Sequence, residues 1–292
     1  MRARVLGAAF LTLPVAPAPV QHHMHIVATA DSAALRFAAA ARAGTARYRE
    51  RSVAIADGYR QVGPDLPSMG EHWLNIGLVL ADSIDAARPP ILIYVASPDG
   101  PVLAGAAYTR MLSAGDPYPE FPRGLHAWHE HSGFIEDEAL PLSHVRHGSA
   151  PGDSGHTRLG ILHLWMWQDN PAGEWVADNW ALPFIRAGVR APQAADPAAG
   201  RALALAPDSG AYYGGVMTTI GRFDAREAAR LSAVLAAAAA DVRAIPHTAD
   251  SEPSAADLER LRGIWMGVWT ALGRELAPRS IEKLEEIRRL WW

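Results

Sequence analysis

The chain has 292 residues, is 49% hydrophobic and 20% charged, and carries a formal net charge of −4 at pH 7, which suits a globular protein with a sizeable core. No basic stripe runs along it, so binding to nucleic acid through its phosphates has no electrostatic support. Cysteine is absent, which excludes disulfides, thiolate zinc sites, iron–sulfur clusters and cysteine nucleophiles; a metal site has to be built from His, Asp, Glu, Asn or Met.

Residues 1–30 read as an export signal. Arg2 and Arg4 provide the positive region, and Val5 to Ala16 form an apolar stretch too short to span a bilayer comfortably. Cleavage is expected after Ala30, in Ala28-Thr-Ala30, rather than after Ala18, where Pro19 would follow the cut. That cut discards His22, His23 and His25. The mature protein is then periplasmic or secreted, with no membrane segment.

From Asp31 the pattern is helical. Tyr48, Ile55, Tyr59 and Val62 fall on one helix face, and Gly63-Pro64 is expected to end it. His72-Trp73-Leu74-Asn75 leads into Ile76 to Leu80, read as a short strand, with His72 at its opening. Ile91 to Ala96 and Val102 to Met111 flank the turn signal Pro98-Asp99-Gly100 and make a hairpin. A proline-rich loop precedes the histidine cluster, and another strand is expected near Gly133 to Ile135. Residues 143–158 read as a polar surface loop that leaves His144, His147 and His156 solvated. Arg158 to Trp167 is apolar on both faces, the pattern of a central strand. Residues 31–186 thus form a helix-plus-sheet domain, and 187–222, rich in Ala, Pro, Asp and Gly, a linker or crossing segment. Residues 223–292 are helical, with a capping box at Asp224 and Glu227 and a second helix start at Ser254 and Asp257. The fold class is α+β: an N-terminal helix, an antiparallel sheet able to curve strongly, and a C-terminal helical region. There is no Gly-rich loop between a strand and a helix, and no Gly-x-Ser-x-Gly elbow.

Eight of the twelve histidines lie between His72 and His163. Neutral imidazole is the commonest protein ligand for transition metals. His129 and His131 are two residues apart, so on a strand both project from one face. A histidine among buried residues, as expected for His163, needs a partner for each ring nitrogen, and a metal satisfies one of them. His72, His129, His131 and His163 are therefore the candidate ligands. An all-imidazole set suits zinc, copper, iron or nickel, and an exported protein meets copper and zinc more readily than reduced iron. Three imidazoles leave a coordination position open for a bound water, for which Glu71 or Glu130 is a candidate base; whether a reaction follows the sequence leaves open. Trp73, Asn75, Trp165 and Trp167 accompany these histidines. They support an alternative: a non-enzymatic module whose aromatic-lined pocket takes an apolar or planar small molecule.

At Gly70-Glu-His72-Trp-Leu-Asn75, Pro90-Ile-Leu-Ile-Tyr94 and His163-Leu-Trp165-Met-Trp167 with Asn170-Pro171-Ala-Gly173, the chain resembles a group of uncharacterised exported bacterial proteins. The resemblance covers about residues 65–182. Those proteins often have Pro after the Asn, where this chain has Ile76, and a further His before the last strand, where it has Leu159 and Gly160. The resemblance implies export, and His72, Asn75 and His163 as a set. It implies no activity.

Overall fold

A computed structural model describes residues 32–113, 116–121, 127–132, 145–146, 158–205, 223–248 and 250–291. The alanine-rich start forms helix α1 (Ser32–Thr45), which buries Ala34 and Ala41. The helix does not continue to Val62. A 3-10 turn (Ala46–Arg49) and a short α2 (Arg51–Ala56) follow, and the chain reverses at Gly58, whose φ of 93° suits glycine. Tyr48 and Tyr59 do pack together, with ring centroids 5.2 Å apart, but from separate elements. Strand β1 (Arg60–Leu66) begins where a fourth helical turn was expected, because its backbone groups pair with the next strand instead. Gly63 and Pro64 fall inside β1, where the register shifts between Val62 and Leu66. An edge strand tolerates proline at such an irregularity.

Strand β2 (Gly70–Leu74) holds His72 at its centre. The segment expected as a strand after it is a helix, α3 (Ile76–Leu80). Asn75 is the reason: its side-chain oxygen accepts from the Leu78 amide at 3.3 Å, and its amide group donates to the Asp57 carbonyl at 3.0 Å. A run of five apolar residues has no usable period, so its cap decides its form. Strands β3 (Ile91–Ser97) and β4 (Gly100–Leu112) form the expected hairpin. They are followed by β5 (Trp128–Ser132), β6 (Val145–Arg146) and β7 (Arg158–Leu164).

The fold is α+β. Among the described residues, seven strands form one antiparallel, non-closed sheet in the order β1-β2-β3-β4-β7-β5-β6. Strand β7 lies inside it, between β4 and β5, which accounts for its two apolar faces. It ends at Leu164 rather than Trp167. Beyond that point the Trp165 amide donates to the Glu174 carbonyl, and the Trp167 and Gln168 amides to the Ala104 carbonyl.

One face of the sheet carries Tyr94, Leu92, Trp73, Tyr108, Leu162 and Leu164, covered by α1, the 3-10 turn and α2. The other carries Ile91, Ile93, Ala107, Ile161 and Trp165, roofed by Leu182 of α4 (Leu182–Arg186). Of the stretch 187–222 expected as a linker or crossing segment, residues 206–222 lie outside the described residues, and 187–205 are structured. They contain α5 (Pro197–Leu203), capped by Asp196, with Ala199, Ala202 and Leu203 buried. Its small side chains let it pack closely: a Cβ on Gly200 would sit 3.0 Å from the Trp180 ring. This helix joins α6 (Ala225–Arg243) and α7 (Ala255–Glu275) in a core of Leu231, Leu235, Leu261, Trp265 and Val268, and α8 (Pro278–Trp291) follows. Among the described residues no helix is long and apolar enough to cross a membrane.

Candidate functional site

Side chains alternate across a strand, and directly opposed residues of an antiparallel pair share a face. In β2, His72 is opposite Ile93, which is opposite Gly105 of β4. In β7, His163 is opposite Ala107. In β5, His129 is opposite Ile161 of β7. Three strands therefore place His72, His129 and His163 on the face roofed by Leu182. His163 is the hub. Its ring centroid lies 5.6 Å from that of His72 and 4.9 Å from that of His129. Trp165, two residues on, adds its ring at 5.7 Å.

The His72–His163 contact requires curvature. Neighbouring strands are about 4.8 Å apart, so β2 and β7 would be about 14 Å apart across a flat sheet. Rings 5.6 Å apart across β3 and β4 mean that this face curves inward; β3 carries Ile91 and Ile93 on it, and β4 only the small Gly105 and Ala107. Gly105 is also needed where it stands, since a Cβ would come within 2.5 Å of the Leu164 carbonyl oxygen.

His163 is fully buried and His129 is 7% exposed, while His72 is half-buried. The Nδ1 of His163 is 2.8 Å from the Ala177 carbonyl oxygen. A carbonyl only accepts, so Nδ1 carries the hydrogen and, in the neutral ring, Nε2 carries the lone pair. The segment that supplies this carbonyl is held from several sides. Trp165 Nε1 donates to the Val176 carbonyl at 2.6 Å, and the Asn170 side chain to the Asp178 carbonyl at 2.9 Å. Ser68, in the β1–β2 turn, donates to the Asp178 carboxylate at 2.7 Å and accepts the Asn179 amide through its own carbonyl. Arg186 of α4 then ties Asp65 and the Pro67 and Leu66 carbonyls to the same region. Burial pushes the Asp65 carboxyl above its ordinary value, against the opposing pull of Arg186. The imidazole of His163 thus has a fixed tautomer on a fixed support.

Of the remaining candidates, His131 is placed by its backbone alone, and Trp73, Asn75 and Trp167 fall elsewhere. His131 takes the backbone position two beyond His129, opposite Leu159 and Val145. Trp73 lies on the opposite face, against Tyr94 at 5.9 Å. Asn75 is spent as the cap of α3. Trp167, past the end of β7, donates through Nε1 to Thr45 on the other side of the sheet. Of the four residues expected around a pocket, only Trp165 adjoins the histidines. Glu71 is not a base for this site: it alternates to the far face, where it accepts from Arg51 at 3.2 Å and from Trp73 Nε1 at 3.0 Å. Glu130 is placed by its backbone alone, opposite Gly160 and Arg146. His126, His144, His147, His156 and residues 133–140 lie outside the described residues.

Ala177, Ala107 and Gly105 were not foreseen as parts of the site. The only sequence signal for the floor was the small run Gly105-Ala106-Ala107 inside an otherwise bulky strand. No signal marks a backbone carbonyl such as that of Ala177. As the side chains stand, no group of three or more His, Asp or Glu among the described residues is arranged around a common ion position. No protein-family description matches the chain, and comparison with curated proteins and with solved structures finds no match.

Proposed function

We propose that the concave face of the sheet is the transition-metal site of an exported protein, with His72, His129 and His163 as its ligands and copper or zinc as its ion. The observation that carries this reading is the gathering of three imidazoles, from strands far apart in the chain, around the pinned ring of His163. Two imidazoles on one tetrahedral zinc at about 2.0–2.1 Å hold their ring centres roughly 5 Å apart. The two contacts of His163, at 4.9 and 5.6 Å, bracket that spacing. Loading an ion then asks His72 and His129 to pivot toward His163 while the Ala177 carbonyl keeps that ring in place, the outer-sphere support usual for metal-bound histidine. His131, the fourth ligand expected from the sequence, stands two positions beyond His129 on β5. Three protein ligands leave one coordination position for water or a small molecule. Export rests on the amino-terminal pattern of Arg2, Arg4 and the apolar run to Ala16.

Elemental analysis of untagged protein isolated from the export compartment tests the site. Near-stoichiometric copper or zinc, lost in the His163→Ala and His129→Ala variants, is expected. Metal-free protein that also refuses added zinc and copper overturns the reading. Sequencing of the mature amino terminus tests the export signal, with a start after Ala30 expected.

A further inference from the structure

A second constellation lies on the other side of the sheet, independent of the histidines. Residues 32–60 carry six arginines against only Glu50 and Asp57, in a chain that is acidic as a whole. Three of these cations have intramolecular partners. Arg47 pairs with Asp57, Arg51 pairs with Glu71, and Arg60 donates to the Ile55 and Tyr59 carbonyls. Arg42 and Arg49 differ. Both guanidinium groups stand over the ring of Trp167, at 4.5 Å and 5.4 Å from its centroid. Neither has a carboxylate within ion-pair distance among the described residues, and Arg42 spends one nitrogen on the Met166 carbonyl. The ring is held still: Trp167 Nε1 donates to Thr45 Oγ1 at 2.9 Å and its amide to the Ala104 carbonyl at 3.1 Å. Trp167 is half-buried, and both arginines are exposed.

Two like charges are thus held about 10 Å apart or less, within one Debye length at ordinary ionic strength, with no counter-charge of their own among the described residues. Stacking on an indole removes much of the side-chain freedom of a guanidinium yet leaves its planar donors open at the edge. Guanidinium edges match the oxygens of phosphate, two N–H donors at a time, and two such cations balance a doubly charged oxyanion. We propose that Arg42, Arg49 and Trp167 form a binding site for a phosphate group, the arginines taking its oxygens and the indole edge lying against the carbon skeleton that bears it. A free phosphate ester and an anionic phospholipid headgroup share this chemistry.

The test uses the mature protein and three variants at low ionic strength: Arg49→Ala, Arg42→Ala and Arg60→Ala. Calorimetric titration with inorganic phosphate and with glycerol phosphate reads the free ligand. Co-sedimentation with phosphatidylglycerol vesicles, against phosphatidylcholine vesicles, reads the headgroup. Loss of one charge-assisted pair should weaken binding about tenfold or more in Arg49→Ala and Arg42→Ala, and leave Arg60→Ala within about twofold of the parent. Among the described residues the Arg49 side chain makes no hydrogen bond, so that variant keeps the test valid if Arg42→Ala unfolds; circular dichroism checks each. Binding of the soluble phosphates supports a small-molecule site, and binding to phosphatidylglycerol vesicles alone supports a headgroup site. No binding to either probe overturns the proposal. So does equal weakening by Arg60→Ala and Arg49→Ala, which would mark a diffuse cationic field.

Discussion

His163 is where sequence, packing and chemistry meet. Its ring is fully buried, one nitrogen donates to Ala177, and two further imidazoles and an indole surround it. Replacing it by alanine strands the Ala177 carbonyl and opens a void, so His163→Ala should lose about 1–3 kcal/mol of stability. Chemical denaturation measures this, and metal content is read on the same samples. His72 is half-buried, so His72→Ala should lose metal while the unfolding midpoint moves much less. An equal loss of stability in both variants would favour a purely structural role for the cluster. Gly105 tests the floor of the site. Gly105→Ala drives a methyl group against the Leu164 carbonyl and should cost about 1–3 kcal/mol, where the same exchange at an unstrained site would stabilise.

At the scale of elements, caps and burial decide what periodicity leaves open. Asn75→Ala removes both the cap of α3 and the tie to Asp57, and should destabilise by about 1 kcal/mol, measured by thermal unfolding. Leu203, in the stretch that composition alone presents as a linker, is 3% exposed. Leu203→Ala should cost about 2–5 kcal/mol, a core-sized loss that no linker residue would give. The long helices α6 and α7 start on the caps Asp224 and Ser254, and the carboxyls of Asp224 and of Asp257, in the first turn of α7, are held below the ordinary value of 3.8. For Asp224 the main cause is the Glu227 amide, and for Asp257 the Ser254 hydroxyl. A depressed carboxyl stabilises the fold fully above its unfolded value and loses that contribution as pH falls through its folded value. Helical content of this region should therefore begin to fall below about pH 4, and Asp224→Ala should lower the midpoint at neutral pH while flattening the acid limb.

For the whole molecule, metal loading should appear as linkage. An ion that binds only the folded chain stabilises it by about 2.7 kcal/mol at a hundredfold excess over its dissociation constant, so zinc or copper should raise the melting temperature and a chelator should reverse the rise. The triple variant of His72, His129 and His163 should show neither effect. The phosphate site lies across the sheet and should respond to neither metal nor chelator.

Several features were legible in the chain itself: the α+β class, the hairpin around Pro98-Asp99-Gly100, the central place of β7, and the caps at Asp224 and Ser254. Each follows from local patterning, which is set by residues within a few positions of one another. Other features depended on neighbours distant in sequence. Periodicity carried the first helix on to Val62, because Tyr48 and Tyr59 are buried whether they share a helix or not. Only pairing with β2 makes Arg60 onward a strand. Ile76 to Leu80 had the composition of a strand until Asn75 capped it. For the site, residue type and alternation singled out His72, His129, His131 and His163, since histidine on an apolar strand is an anomaly in any fold. Three of these, His72, His129 and His163, stand together. What brought them to one another was the order of the strands, the concavity over Gly105 and Ala107, and the segment that sets Ala177 beside His163. Trp73 and Trp167 went to the far face for the same reason. The sequence determines which residues are unusual and which face of a strand they share. Only the tertiary structure decides which faces meet, because strand order and sheet curvature arise from contacts made across the whole chain.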